Sequence, residues 1–188
     1  MSSRLDFRNE TFQPYTKALG ELTLAWNDFN MILSHVFWAV SKIPNGMVPF
    51  AMWNSLTSDR AQREMLGAVI KIKAIGHNIP GNIRCELEWV LSKANSLEDL
   101  RNDALHSPLL DTEGDVSPCH QLGHKRASKL ANKDLLKEFR WFYDSIIILR
   151  NYVIVILDAL IQPNKTLPER PSLPNRGAPS EPQPRPQA

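Results

Sequence analysis

The sequence predicts an all-α protein, an antiparallel four-helix bundle followed by a disordered proline-rich C-terminal tail. Three observations carry this. Two long stretches place apolar residues in strict alternation of three and four, two further stretches carry shorter apolar stripes, and eight of the fourteen prolines fall after residue 162. The apolar fraction of 43% is enough for a full core in one domain of ordinary size. The expected division is a flexible N-terminus over 1–13, a helical domain over 14–162 and the tail over 163–188.

The first helix is expected from Pro14, a residue suited to a first turn, to Ser41. Its seam is Leu19, Leu22, Trp26, Phe29, Leu33, Val36 and Val40. Pro44-Asn45-Gly46 then forms a turn. A second helix is expected from Val48 or Pro49 to Ile75. Its polar middle over 57–63 allows a kink or a restart capped by Ser58 or Asp59, and Gly76 to Gly81 ends it.

The third helix is expected over 82–106, with Ile83, Leu87, Val90, Ala94 and Leu97 as its stripe. Continuing the stripe puts Arg101 on or beside the inward face. A cation there needs a ligand, a wet groove or a carboxylate such as Asp28 or Asp59. Pro108 stops the helix at or before Ser107. Residues 107–127, with Pro108, Gly114, Pro118 and Gly123, read as a long loop. The fourth helix is expected over 132–161, with Leu135, Phe139, Phe142, Ile146, Leu149, Val153, Ile156 and Leu160 as its seam.

The tail's prolines forbid helix, so it is expected to be extended and disordered, and deleting 166–188 is expected to leave the melting temperature almost unchanged. Trp26, Trp53, Trp89 and Trp141 are expected as core or interface anchors.

Net charge is +2, and the tail accounts for it, with four basic residues against two acidic ones. The body is formally neutral, so nucleic-acid binding would need local cations rather than a global basic field. Two cysteines, Cys85 and Cys119, make no disulfide framework and suit a reducing compartment. The N-terminus lacks the apolar run of a signal peptide, and charged residues interrupt the most apolar stretch, 145–161. A cytoplasmic location without membrane insertion is the expectation.

One short stretch carries chemistry. Arg101-Asn102-Asp103-Ala104-Leu105-His106 sets an arginine, an asparagine and a histidine at a helix end beside a loop. Asn102 and His106 are four apart and share a face. Histidine changes charge near neutral pH and suits proton transfer. Arginine stays charged and grips phosphate oxygens bidentately. The plain structural alternative is a histidine at a helix C-terminus beside a surface arginine.

Arg101-Asn102-x3-His106 on the third helix of a four-helix chain resembles the HEPN superfamily. The resemblance covers about 15–162 as architecture and these six residues as motif. It implies a metal-independent endoribonuclease with Arg101, Asn102 and His106 as catalytic residues, acting on RNA through its 2′-OH. It also implies a homodimer that brings two motifs to one cleft, and a toxin or defence role with a cognate antitoxin or other partner protein. The alternative is a non-catalytic HEPN-like bundle that binds RNA or a partner protein.

The loop adds weaker candidates. His120, His124, Lys125 and Arg126 can approach a substrate bound at the motif. Cys119-His120-x3-His124 has a spacing that zinc tolerates but not a paired-cysteine knuckle, so no metal and no cofactor is expected. Arg150-Asn151 repeats the Arg-Asn pair without a following histidine.

Overall fold

The computed structural model describes residues 10–72, 79–112, 115–120, 123–162 and 164–176. Among them the chain forms six helices and one small hairpin: α1 (Gln13–Ser41), α2 (Met47–Ser55), α3 (Asp59–Ile70), α4 (Gly81–His106), β1 (Leu109–Thr112), β2 (Asp115–Pro118), α5 (Lys125–Leu130) and α6 (Leu135–Ile161). The protein is mainly helical, as its periodicity dictates.

The two seams meet. Of the α1 seam, Leu22, Trp26, Phe29, Leu33, Val36 and Val40 are buried. On α6, Phe139, Phe142, Ile146, Leu149, Val153 and Ile156 are buried against them. The α1–α6 interface is the most extensive in the protein, and α4 closes against α6 through Leu87, Val90, Ala94 and Leu97. Phe12 is buried too, so seated chain begins before Pro14.

The expected second helix is two. Ser58 adopts an extended backbone and accepts a hydrogen bond from the amide of Ala61 at 3.2 Å, which starts α3 afresh. This puts Asp59 in the first turn of α3, where the helix dipole favours a carboxylate. The expected extension to Ile75 and the turn from Gly76 lie partly outside the described residues.

The long loop is not structureless, and the protein is not free of sheet. Ser107, forced out of helical conformation by Pro108, leads into β1, which pairs antiparallel with β2 in the register Leu109↔Pro118, Asp111↔Val116. The amide of Cys119 donates to Pro108 O at 2.8 Å and closes the hairpin base. The segment over 125–130 is helix α5. The last long helix starts at Leu135 rather than Asn132, because Asn132 takes a left-handed backbone (φ 59°) and Asp134 caps the helix through Lys137 N.

The tail is extended as its prolines require, but residues 164–176 are not free. They form a strap that runs back along α6. Lys165 pairs with Asp158 near the end of α6, and Arg176 pairs with Glu138 near its start. That stretch of helix is about 30 Å long at ~1.5 Å per residue. The strap between the two pairs reaches about 34 Å at ~3.1 Å per extended residue. Midway, Arg170 forms a two-pronged bridge to Glu86 of α4, both bonds at 2.8 Å. Leu167 and Leu173 pack on the core, and the indole N–H of Trp141 donates to Pro174 O at 2.8 Å. The Arg170 bridge holds the Glu86 carboxyl below its ordinary range. Burial, with the hydroxyl hydrogen bond to Glu86, pushes Tyr152 up to about 12.

Truncating Trp26 or Phe139 to Ala is expected to cost roughly 3–5 kcal/mol in chemical denaturation, because both are fully buried aromatics. Removing the strap after residue 162 is expected to lower the melting temperature by a few degrees at neutral pH, contrary to the expectation from composition. The sign with pH follows from Glu86. A carboxyl lowered in the folded state stabilises above its unfolded value and loses that contribution as pH falls through the lowered one. The melting difference between full-length and truncated chains should therefore shrink as pH is taken below about 4, in a scanning-calorimetry series.

Candidate functional site

The inward face of α4 meets α1 and α3 in a partly buried polar knot, and Arg101 is part of it. Asp59 Oδ2 accepts from Trp26 Nε1 at 2.7 Å and from Arg101 Nη2 at 2.8 Å. Of the two carboxylates that suited Arg101 by position, Asp59 takes the role. Asp28 is instead occupied by Arg150 of α6 at 2.7 Å.

A second layer lies one turn away. Arg63, 1% exposed, donates from Nε to Asn95 Oδ1 at 2.8 Å, and its Nη2 stands 3.0 Å from Glu98 Oε2. That contact is ionic and off the hydrogen-bond direction, so both Nη atoms of Arg63 are left without a hydrogen bond, as is Arg101 Nε. Arg60 covers the same Glu98 oxygen from the solvent side at 2.8 Å. The guanidinium groups of Arg63 and Arg101 both lie over the Trp26 ring, 5.4 and 5.1 Å from its centre. Cation–π attraction offsets part of the missing hydrogen bonding. Burial pushes the Arg63 guanidinium below its ordinary value, against the pull of Glu98 and Asp59.

His106 lies elsewhere. It is the last residue of α4, it is exposed, and its imidazole takes no hydrogen bond among the described residues. Five residues of helix separate it from Arg101 by about 140° around the axis and about 7.5 Å along it. Asn102 is half-buried on the His106 side. So within one chain the motif divides: Arg101 points into the α1–α3 junction, and His106 with Asn102 faces outward.

Between them sits Asp103, which sequence reasoning passed over. It is buried and gathers Arg126 at 3.0 Å and Lys129 at 3.1 Å from α5, while Ser107 Oγ donates to its carbonyl. Arg126, expected near a substrate, therefore ties α5 to α4. His124 caps α5, its Nδ1 accepting from Ala127 N at 3.2 Å, and His120 Nδ1 lies 2.9 Å from Pro118 O. Lys125 is exposed. The structure thus places Arg126 beside Asp103 near the end of α4, leaves Lys125 exposed at the start of α5, and gives both histidines local structural partners.

Among the described residues no group of three or more His, Cys, Asp or Glu side chains is arranged to hold a metal. Cys119 is buried and Cys85 exposed, both as free thiols. No described helix is long and apolar enough to cross a membrane. No family model, curated protein or solved structure matches this chain.

The Arg63–Glu98 pair sets up a test of the knot. Glu98→Leu alone should cost about 3–5 kcal/mol by leaving Arg63 buried without its ion-pair partner. The joint Arg63→Met/Glu98→Leu replacement should recover most of it, because no charge is then buried. Urea denaturation of the three variants reads this directly. Asp59→Ala should cost about 1–3 kcal/mol, less because Asp59 and Arg101 are partly exposed.

Proposed function

We propose that the chain is a metal-independent endoribonuclease of HEPN type. In this reading α1, the split pair α2 and α3, α4 and α6 take the four positions of an antiparallel bundle, and two copies pair so that their α4 ends share one cleft. The observation that carries it is His106 itself. A histidine at a helix end, exposed and free of hydrogen bonds to the described residues, has Asn102 one turn behind it. The cationic groups of α5 stand beside the buried Asp103 in between.

One histidine would take the 2′-OH proton as that oxygen attacks the adjacent phosphorus. The second protomer's equivalent would give a proton to the departing 5′-oxygen. Arg101, which in the single chain is paired with Asp59 and turned away from His106, would have to swing out of that pair to supply positive charge to the pentacoordinate phosphate. Because the body is neutral overall, this local charge has to provide the phosphate affinity.

A second reading is favoured by one observation. Arg101 has its Nη2 committed to Asp59 and its Nε buried. A chain using Arg101 wholly to join helices is a non-catalytic HEPN-like bundle that binds RNA or a partner protein.

Mixed RNA incubated with purified protein in EDTA separates the two. The enzyme reading expects cleavage to 2′,3′-cyclic phosphate and 5′-hydroxyl ends, and no cleavage of DNA. It expects a loss of at least roughly 10²-fold for His106→Ala with the fold and a dimeric mass by light scattering retained. RNA left intact by clean wild-type protein, or cut equally well by His106→Ala, supports the binding module instead.

A further inference from the structure

We propose that the face formed by α4 and α6 is a binding groove for extended proline-rich peptides of a partner protein, with the strap of residues 164–176 as its resident competitor. The groove has the chemistry such peptides need. Trp89 and Trp141 are its aromatic surfaces, and each carries an arginine of the strap over its ring, Arg170 at 5.1 Å and Arg176 at 5.5 Å. Glu86 and Glu138 stand beside those rings and bind the same two guanidinium groups. The indole of Trp141 donates to a peptide carbonyl, that of Pro174. Tyr152 holds Glu86 from beneath at 3.0 Å and meets Trp89 edge-on, so the acidic end is set by the bundle and not by the strap.

The occupant therefore defines the ligand. It is an extended segment of the form Arg170-Pro171-Ser172-Leu173-Pro174-Asn175-Arg176, with the leucine half-buried against the core and the arginines six residues apart. Every groove residue belongs to α4 or α6, so the groove persists when the strap leaves. Proline-rich chain has no internal hydrogen bonds to break and stays extended when free, which makes exchange inexpensive. A tethered occupant acts at an effective concentration of about millimolar, so an outside peptide of equal quality is excluded until the strap is weakened.

The probe is a fluorescein-labelled synthetic peptide with the sequence of residues 164–176, followed by polarisation against the full chain. Wild type is expected to bind it poorly. The full-length Arg170→Ala/Arg176→Ala variant, whose strap has lost both arginine anchors, is expected to bind it at least about tenfold more tightly. The same peptide with both arginines replaced by alanine should bind neither. Unchanged helicity by circular dichroism confirms that the variant is folded. No saturable binding to the folded variant, affinities equal for wild type and variant, or equal binding of the arginine-free peptide would each overturn the proposal. Activity on RNA plays no part in this readout.

Discussion

Trp26 hands its indole N–H to Asp59 from inside the α1–α6 core, and this bond constrains much of what surrounds it. A buried indole needs an acceptor. Here the acceptor is charged, so it needs cations in turn, and Arg101 comes from α4. Two further arginines, Arg60 and Arg63 of α3, neutralise the neighbouring Glu98. The knot thereby joins three helices that are far apart in sequence. Partly unsatisfied buried charge is a costly way to hold helices, and apolar side chains of the same volume would hold them more firmly. What such a network offers is registry, since the charges pair in one arrangement of α1, α3 and α4.

The break between α2 and α3 belongs to the same constraint. Had the helix run unbroken from Met47, Asp59 would sit mid-helix. The restart at Ser58 puts its carboxylate in a first turn, against the positive end of the dipole, and within reach of both Trp26 and Arg101. A local capping signal thus positions a tertiary contact.

The same knot divides the motif. Arg101 is drawn inward by Asp59 and Trp26, His106 stays outward at the helix end, and Asp103 between them anchors α5. A catalytic role would require Arg101 to leave that inward pair and turn toward His106, and a binding role would make Arg101 a fastener. Independent of that choice, the N-terminal half of α4 has its own arrangement, in which Trp89 and Glu86 serve the strap. One helix therefore carries the motif near its C-terminus and the groove near its N-terminus.

Periodicity alone determined that this chain is mainly helical, roughly where α1, α4 and α6 run, and most of the apolar stripe each of them buries, because burying a stripe depends on its spacing along one helix; Leu19 and Leu160, at the ends of their seams, are only partly buried. It also required a ligand, a wet groove or a carboxylate such as Asp28 or Asp59 for Arg101, since a cation on an inward face needs one of these. Tertiary structure decided which. Asp28 and Asp59 were equivalent by sequence, and only the packing of α3 and α6 around Trp26 assigned Asp59 to Arg101 and Asp28 to Arg150. It decided as well that Arg126 and His124 have structural work, that a hairpin of two four-residue strands fills the loop, and that half of the proline-rich tail is held. Those outcomes rest on hydrogen bonds and ion pairs between distant segments. Composition treats a polar, proline-rich stretch as solvent-loving, and nothing local in Arg170 or Arg176 reveals that a glutamate and a tryptophan wait for each on the helices above.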